Sequence, residues 1–490
     1  MDANQQYETV VGLEVHARLR TQSKLFCGDS SFFGDEPNTN TSPITLAHPG
    51  TLPRMNKEAI GFAVKLGLAC HSKIEKQNYF ARKNYFYPDL PKGYQVSQHT
   101  TPICKGGFVT IKTSAGEKKV QLNRIHMEED AGKSLHDVYI EETALDYNRA
   151  GVPLLEIVTE PDLRSGDEAS AYLTELRKLV RYLEICDGNM EEGSFRCDAN
   201  ISVRVMGKET LGTKVEVKNL NSIRNVKIAI DYEASRLISL SEKKETIQQQ
   251  TRSFDAASGT TFAIRDKEDA EDYRYFPEPD LTPFDLTDDF IESIRKSIPE
   301  LQKERIKKYV SAYSLSEYDA TALTEEKKFS DYFERLLLSK NKNDNHVDIK
   351  PKSAANWMLG PVKTWLNDRN KDIDVIPIQA ASFRSLIKMV EENKLSFSVA
   401  SSKIFPLLIE DPQADPMQVA KKMNLIIESN SDYILPIADA VLLQFEDKVK
   451  EYKKGKKGLL ALFVGEVIKR SKGKADPKIV NEILNQKLNS

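Results

Sequence analysis

The stretch VVGLEVHARL, residues 10–19, alternates apolar and polar side chains with a period of two. This alternation predicts a β-strand with one face in a core, and it places Glu14, His16 and Arg18 together on the polar face. At about 3.3 Å of rise per residue, Glu14 and His16 lie roughly 7 Å apart along the strand, which suits two ligands of one cation or of a metal pair. A solvated outer face of a half-buried sheet shows the same alternation, so a site here requires partners from other strands.

Later segments of the chain supply candidate partners. Residues 196–205 and 214–221 alternate in the same way, and acidic groups are dense in residues 124–130 and 154–160. The economical arrangement is a sheet whose concave polar face is lined by Glu14, His16, Glu128 or Glu129, Glu156, Asp198, Asn200, Glu216 and Lys218. Such a face predicts a divalent-metal and phosphate site, and its hard oxygen ligands favour magnesium.

Glu156 is the most demanding of these residues because it stands inside the apolar run LLEIVT, residues 154–159. An unpaired carboxylate there would be costly to remove from water, so it requires a cation nearby. A bound metal is one such cation. A structural salt bridge to an arginine such as Arg149 is the alternative, since structural pairs also bury carboxylates.

Composition restricts the class of protein. The 490 residues have room for about three domains, and the net charge of −3 argues against a nucleic-acid coat or a membrane-surface protein. The five cysteines are scattered without a CxxC pair, which indicates a reducing compartment and predicts a cytoplasmic protein. The sequence has no run of about 18 apolar residues, and its polar start lacks a secretory signal, so we expect no membrane association.

Two turn-rich segments precede the acidic region. Residues 27–56 are crowded with Gly, Pro, Asn, Ser and Thr, and we predict an ordered functional loop that buries Phe32, Phe33, Leu46 and Leu52. Residues 82–95, RKNYFYPDLPKGYQ, interleave aromatic and basic groups, which suits stacking on a base and pairing with phosphates. Neither a P-loop nor a Rossmann glycine motif occurs in the sequence, and a surface loop with tyrosines packed on the core is the alternative.

The second half of the chain has a more helical sequence pattern than the first. A capping box at Ser165–Glu168 predicts a helix to about Ile185, and from about Asp288 onwards the sequence reads as helices joined by short loops. Trp357 and Trp365 are expected in a core, and Asp411–Pro416 resembles a hinge. Residues 451–490 contain ten Lys and Arg against four Asp and Glu, an excess that could hold a phosphate backbone or form a solvated helical face.

Motifs along nearly the whole chain closely resemble one family, GatB, a component of the aspartyl/glutamyl-tRNA amidotransferase. They occur in order and are VVGLEVHARL, LFCG, EPNT, HPGTLP, RKNYFYPDLPKGYQ, HMEEDAGK, DYNRAGVPLLEIVTEPD, EGSFRCDANISVR, EVKNLNS, YRYFPEPDL and VGEVIKRSKGKADPKIVNEIL. The resemblance implies an α+β fold in three domains. These are a cradle domain on a mostly antiparallel sheet over residues 1–290, an all-α helical domain over 291–410 and a small YqeY-like helical tail over 411–490.

The resemblance also implies a ligase that converts Glu-tRNA(Gln) or Asp-tRNA(Asn), or both, into the amidated aminoacyl-tRNA. ATP phosphorylates the tRNA-bound carboxylate, and ammonia that the glutaminase GatA releases from glutamine displaces the phosphate. The implied cofactors are ATP and Mg²⁺, since a carboxylate must first become an acyl phosphate and magnesium neutralises charge as the phosphoryl group moves. The implied partners are GatA and the small protein GatC in a heterotrimer, the misacylated tRNA, and a glutamyl- or aspartyl-tRNA synthetase.

Matching motif positions assigns residues to these roles. The metal shell comprises Glu14, His16, Glu128, Glu129, Glu156 and Glu216. Nucleotide or substrate is held by Lys83, Tyr85, Tyr87, Asp89 and Lys92, and the pocket is lined by Arg149, Asp198, Asn200, Lys218 and Asn221. The expected catalytic residues are Glu129, His16 and Glu156, with Glu128 or Glu129 meeting the ammonia.

One departure from the family concerns zinc. Many relatives have several cysteines in the loop at residues 27–45, but only Cys27 is present here, with Asp29, Ser42 and Thr45 at the positions expected for the others. A single thiol cannot form a structural zinc site, so we expect no zinc and a loop held by packing and turn hydrogen bonds.

Two other functional classes fit parts of the sequence. A catalytically silent protein that only binds tRNA or supports assembly would leave the acidic strand face solvated, although it would not explain Glu156 inside its apolar run. A metal-dependent nuclease would also use acidic pairs and a basic tail, and ATP dependence separates it from an amidotransferase.

Overall fold

The computed structural model describes residues 6–135, 141–266, 273–337, 349–427, 431–471 and 474–489. The chain divides into two compact units, Met1–Leu301 and Gln302–Ser490. The described part of the first unit holds the strands and four helices, and that of the second unit is helical.

The described strands follow in chain order: β1 (Tyr7–Arg18), β2 (Lys73–Ile74), β3 (Gln77–Asn78), β4 (Ala81–Asn84), β5 (Tyr94–Ser97), β6 (Cys104–Lys105), β7 (Phe108–Thr113), β8 (Gly116–Glu129), β9 (Lys133–Leu135), β10 (Ala144–Asp146), β11 (Pro153–Thr159), β12 (Phe195–Val205), β13 (Val215–Leu220), β14 (Gln250–Asp255), β15 (Thr260–Asp266), β16 (Arg274–Pro277) and β17 (Phe284–Asp285). The helices of the first unit are α1 (Lys57–Ala69), α2 (Gly166–Tyr182), α3 (Ile223–Glu242) and α4 (Asp288–Lys296).

The α-helices of the second unit are α5 (Gln302–Tyr313), α6 (Glu317–Leu323), α7 (Lys327–Leu337), α8 (Pro351–Trp357), α9 (Lys363–Arg369), α10 (Ala380–Glu391), α11 (Phe397–Val399), α12 (Phe405–Glu410), α13 (Pro416–Lys422), α14 (Ser431–Gln444), α15 (Glu446–Lys453), α16 (Leu460–Arg470) and α17 (Pro477–Asn489). Short 3₁₀ turns occupy Ile373–Val375 and Lys457–Leu459, and π-helical turns occupy Met358–Val362 and Ala400–Ile404.

The main sheet has 13 strands, and its path runs β15-β14-β13-β12-β1-β11-β8-β5-β4-β16. Along that path the described pairs are antiparallel, apart from the parallel pair β13–β14. The predicted α+β fold, with a mostly antiparallel sheet followed by a helical region, is confirmed.

Strand β1 lies in the middle of this sheet, between β11 and β12. Val11, Val15 and Ala17 are fully buried, in the same core as the apolar faces of α1, α2 and α3. The polar alternate positions, Glu14 and His16, are half-buried on the other face. The predicted division of residues 10–19 into a core face and a polar face is therefore confirmed.

Helix α2 begins where the capping box predicted it. The Ser165 side chain accepts a hydrogen bond from the Glu168 backbone N at 3.2 Å, and the Glu168 carboxylate accepts one from the Arg164 backbone N at 2.8 Å. The first bond satisfies an orphan N–H group of the first turn, and the second fixes the backbone just before the N-cap residue.

The second unit contains two hydrophobic cores. Trp357 is buried in the first, where it contacts Phe383 and Phe405, and Trp365 packs against the same core. The predicted core position is confirmed for Trp357, whereas Trp365 is half-buried at the edge of this core. Pro361 lies in the π-helical turn that follows Trp357, because a proline nitrogen cannot donate the regular helical hydrogen bond.

The change from the first to the second of these cores falls beyond the predicted hinge at Asp411–Pro416. Ala420 and Leu425 still belong to the first core, and Ile434 opens the second. The functional division of the chain at residues 290 and 410 stays a prediction. No helix among the described residues is long and apolar enough to span a membrane.

The loop at residues 27–56 is held by polar contacts around Asp29. Its carboxylate accepts hydrogen bonds from the Ser42 backbone N at 2.8 Å and from the Thr45 hydroxyl at 2.5 Å, and the Cys27 thiol lies 3.3 Å away. The four positions considered for zinc ligands therefore converge in one hydrogen-bonded group, the Asp29 cluster, formed by Cys27, Asp29, Ser42 and Thr45.

The prediction that this loop buries its large apolar side chains is wrong for three of them. Phe32, Phe33 and Leu52 are 67%, 60% and 66% exposed. Polar contacts fix the loop instead, and the buried Lys24 adds to them by donating from Nζ to the Asn40 carbonyl at 2.7 Å. Apolar burial is not required once the backbone has these partners.

We expect Asp29→Ala to loosen the loop locally. Losing hydrogen bonds to a carboxylate costs about 1 kcal/mol, so the Ser42 backbone amide should exchange roughly fivefold faster with deuterium. The control is Asp35→Ala in the same loop, which removes only a side-chain contact to Asn40. Equal exchange of Ser42 in the wild type and Asp29→Ala would contradict the role of the cluster.

Acid should weaken the same cluster. Burial raises the pKa of Asp29, but hydrogen bonds from Thr45 and Ser42 outweigh it, so the pKa is lowered overall. Its stabilising contribution is therefore complete above the unfolded-state pKa of about 3.9 and is lost as the pH falls through the lower folded-state value. Hydrogen exchange at Ser42 in the wild type should approach that of Asp29→Asn in this range, after correction for the intrinsic rate.

Candidate functional site

A polar row crosses four neighbouring strands of the main sheet. His16 on β1 stands opposite Arg196 on β12 and Glu156 on β11, and Glu156 in turn stands opposite His126 on β8. Directly opposed residues point to the same side of a sheet, so the four side chains share one face. The sequence predicted His16 and Glu156 there, and the register adds the other two.

Glu14, His16 and Glu156 form a compact group that we call the metal cluster. His16 Nε2 lies 3.6 Å from Glu14 Oε1 and 3.5 Å from Glu156 Oε2. One potential ligand atom from each residue lies within 4.8 Å of the others. Two carboxylates and an imidazole at this separation fit a divalent cation, and the nitrogen ligand admits Mn²⁺ as well as Mg²⁺.

The charges in the metal cluster are mutually dependent. Burial and the neighbouring charge of Glu156 raise the pKa of Glu14. Burial also raises the pKa of Glu156, but His126, His16 and Arg124 outweigh it and lower that pKa overall. Glu156 is therefore an anion although only 6% of its surface is exposed, and a cation placed among these groups would favour the charged form of Glu14 as well.

A second group adjoins the metal cluster at Glu156. His126 Nε2 lies 3.1 Å from Glu128 Oε1 and 3.8 Å from Glu156 Oε2, and the His126 side chain is fully buried. Ser97 Oγ and Gln95 Nε2 donate to the Glu128 carboxylate at 2.7 and 3.1 Å. Glu128 is thus fixed beside the metal cluster rather than within it.

The arginine that meets Glu156 is Arg124, not Arg149. Arg124 Nη2 lies 3.3 Å from Glu156 Oε1 and 3.3 Å from His99 Nδ1. Arg149 instead lies 3.3 Å from Asp130 and donates to the carbonyls of Ala131 and Gly132. The specific alternative of an Arg149–Glu156 salt bridge is therefore wrong, while a structural partner for Glu156 does exist in Arg124.

Strands β12 and β13 extend the polar face. Lys218 Nζ lies 2.5 Å from Asp198 Oδ2 and 3.3 Å from Glu216, and Asn200 stands opposite Glu216 in the register. Glu216 also accepts a hydrogen bond from the Thr251 hydroxyl at 2.9 Å. Asp198 stands opposite Glu14, which joins this group to the metal cluster, while Glu216 lies one strand further out.

Glu129 faces away from its neighbour Glu128, because successive residues of a strand point to opposite sides. Its carboxylate accepts a hydrogen bond from the Val96 backbone N at 2.8 Å and forms an ion pair with Lys92. Glu129 and Lys92 both line a cavity of about 290 Å³. Of the predicted metal ligands, Glu129 therefore belongs to this cavity, and Lys92 lies with it.

The residues predicted to bind the nucleotide or to line the pocket do not all lie together. Lys83 Nζ lies 4.7 Å from the ring centre of Tyr273 and 5.6 Å from that of Tyr85. Burial lowers the pKa of Lys83, but Glu128 and other nearby groups outweigh it, so the pKa is raised overall. Tyr87 is exposed, and Asp89 accepts a backbone hydrogen bond from Gly132 through its carbonyl. Arg149 and Asn221 line a separate cavity beside the polar row.

Sequence reasoning missed several residues of the site. They are Gln95, Ser97, His99, Arg124 and His126. Arg124, His126 and Glu128 alternate with apolar Ile125 and Met127, so the period of two was available to find them. His99 has no comparable pattern around it, and its proximity to Glu156 follows only from the fold.

We expect the metal cluster to bind Mn²⁺, measured by electron paramagnetic resonance on the purified full-length chain. Glu156→Gln should weaken binding at least about tenfold, since even groups that only orient metal ligands contribute that much. The matched control is Glu8→Gln, on the same strand but paired with Arg204 and Arg164. Wild-type affinity in Glu156→Gln, or an equal loss in the control, would contradict the assignment.

Comparison with known proteins shows the family to which the chain belongs. Residues 9–292 match the GatB/GatE catalytic domain family, and residues 331–488 match the GatB domain family. Proteins named as the B subunit of aspartyl/glutamyl-tRNA(Asn/Gln) amidotransferase share 44% identity in Thermodesulfovibrio yellowstonii, with 98% of each chain covered, and 46% in Geotalea uraniireducens, with 99% of each covered. In Salinibacter ruber the identity is 44%, over 100% of this chain and 98% of the relative. The chain belongs to the GatB family of the aspartyl/glutamyl-tRNA amidotransferases.

Proposed function

We propose that this chain is the component of a glutamine-dependent amidotransferase that activates the side-chain carboxylate of Glu-tRNA(Gln), Asp-tRNA(Asn) or both. The carboxylate oxygen attacks the γ-phosphorus of ATP and forms an acyl phosphate, with ADP as the leaving group. Ammonia then attacks the acyl carbon, phosphate leaves, and the surplus proton passes to solvent or to a nearby base. The products are the amide, ADP and phosphate.

The observation that supports this proposal is the convergence of Glu14, His16 and Glu156 beside a basic and aromatic flank. Phosphoryl transfer requires fixed positive charge around the phosphates and little covalent participation by the protein. Lys83 supplies a fixed cation next to Glu128, and Arg124 supplies another next to Glu156. A magnesium ion held by the metal cluster would neutralise phosphate charge while the phosphoryl group moves.

The protein groups around the cluster have separate tasks. Arg124 and His126 hold Glu156 in one orientation, and Ser97 holds Glu128 through a 2.7 Å hydrogen bond. Orientation of this kind reduces the reorganisation that accompanies the reaction, since ligands that are already placed do not need to move. Lys218, between Asp198 and Glu216, adds positive charge on the opposite side of Glu14.

Glu129 and Lys92 fit a role in receiving ammonia. They lie in the cavity on the other side of β8 from Glu128, so a small polar molecule there would be one strand thickness from Glu128. The ion pair provides an acceptor and a donor for ammonia. We propose that ammonia comes from a glutaminase partner, GatA, and that GatC completes the heterotrimer.

The proposed macromolecular substrate is a misacylated tRNA, with a synthetase as its proposed supplier. Helices α15 and α16 and their connection contribute Lys450, Lys453, Lys456, Lys457 and Lys469. Lysines of this density support contact with a phosphate backbone. The amidation takes place in the cytoplasm in this proposal, where charged tRNA is made.

The first experiment measures amide formation on misacylated tRNA by the chain co-purified with GatA and GatC, supplied with ATP, magnesium and glutamine. Wild type is compared with His16→Ala, and Glu8→Gln serves as the control. We expect ATP-dependent amide in wild type and control, and a loss of more than about a hundredfold in His16→Ala with assembly and tRNA binding retained. A wild type that binds tRNA without forming amide would instead indicate a silent binding protein.

A second variant tests the ammonia route. Glu129→Ala should abolish glutamine-dependent amide formation while leaving glutaminase activity of the partner largely intact, because Glu129 lies outside the metal cluster. Mn²⁺ binding, which depends on the cluster, should also be unchanged. Normal amide formation in Glu129→Ala would reject the proposed route.

A further inference from the structure

A cavity of about 650 Å³ opens on the polar face next to the metal cluster. Its wall includes Arg18, two residues beyond His16 on the same face of β1, and Arg196, directly opposite His16 on β12. Two residues of strand correspond to roughly 7 Å, so the cavity begins about that far from the cluster. Its remaining lining includes Arg149 and Asn221, two of the predicted pocket residues.

Two exposed phenylalanines, Phe32 and Phe33, form the outer wall of this cavity. Consecutive aromatic side chains exposed at 67% and 60% are unusual away from a binding site. The Arg18 guanidinium carbon lies over the Phe33 ring, 5.3 Å from its centre, which places a cation against one face of the ring. The two phenylalanines thus form an exposed stacking surface with a positive charge behind Phe33.

The backbone on both sides of the phenylalanines is fixed. The buried Ser31 hydroxyl donates to the Thr21 carbonyl, and the Asn38 backbone N donates to Asp146 Oδ1 at 3.0 Å. Gly34 between them has φ +100°, a conformation that other residues rarely adopt. The two rings are therefore presented by a preformed turn, so little backbone entropy is lost when a ligand stacks on them.

The charges of the lining indicate the kind of ligand. Four basic residues, Arg18, Lys133, Arg149 and Arg196, are balanced by four acidic ones, Asp35, Asp146, Glu191 and Glu192. Such a balanced wall disfavours a polyphosphate. It suits a ligand with single phosphodiesters and a positively charged amino group, together with a base that can stack.

We propose that this cavity binds the aminoacylated 3′-terminal adenosine of the tRNA, with its base on Phe33 and its backbone phosphate near Arg18. This inference rests on the proposed function and extends it by giving the position of the substrate. A glutamyl side-chain carboxyl is five bonds, or about 6 Å, from the ester oxygen on the ribose, which matches the separation of cavity and metal cluster.

The adenosine of ATP has the same stacking chemistry, so the test must separate the two sources. The Lys83, Tyr85 and Tyr273 group lies on the other side of the metal cluster, next to Glu128, and it combines a lysine with two tyrosine rings. It is the better place for the polyphosphate nucleotide.

The experiment uses the complete complex and compares Phe33→Ala with Phe33→Tyr and with Phe262→Ala, an exposed phenylalanine on β15 outside the cavity. KM and kcat are measured separately for misacylated tRNA and for ATP. Phe33→Ala should raise the KM for misacylated tRNA roughly tenfold, with the KM for ATP changed less than about twofold. Phe33→Tyr and Phe262→Ala should behave as wild type.

An amide-linked glutamyl-adenosine provides a second readout. It should inhibit the wild type competitively with misacylated tRNA, and Phe33→Ala should lose most of that inhibition. A raised KM for ATP in place of tRNA would assign the cavity to the adenosine of ATP and overturn the proposal, as would no change in either KM. A wild-type complex without ATP-dependent amide formation would reject the proposed function itself, whereas an active wild type with an unaffected Phe33→Ala would reject the cavity assignment alone.

Discussion

The buried carboxylate of Glu156 is the constraint around which the polar face is arranged. A negative charge on a central strand of a sheet must be compensated, because its transfer from water is otherwise too costly. Three cationic or potentially cationic groups meet it from two neighbouring strands: His16 from β1, and Arg124 and His126 from β8. Each partner is itself fixed by the sheet register, so the charge, its partners and the backbone determine one another.

The same constraint gives the two oxygens of Glu156 different partners. Glu156 Oε1 faces Arg124, while Oε2 faces His16 and His126. One oxygen is therefore held by a permanent cation, and the other lies beside two imidazoles. The second oxygen, next to His16, is thus the one placed to bind a cation of the metal cluster.

Much of this arrangement follows from the sequence, and the remainder depends on register. The alternation in residues 10–19 is sufficient to place Glu14 and His16 on one face, since strand side chains alternate whatever their surroundings. The sequence does not show that Arg124, and not Arg149, pairs with Glu156. Arg149 is closer along the chain, and only the pairing of β8 with β11 brings Arg124 to Glu156. The sequence pattern also could not predict that Phe32 and Phe33 are exposed, because hydrogen bonds fix their loop without apolar burial.

The Asp29 cluster stands where many relatives have several cysteines. Its hydrogen bonds run between Cys27, Asp29, Ser42 and Thr45, and they hold the loop that presents Phe33. Because a single thiol predicts no zinc here, we expect a cell short of zinc to assemble this loop as well as a zinc-replete one. Metal supply would then act on the polar face and leave this loop unaffected.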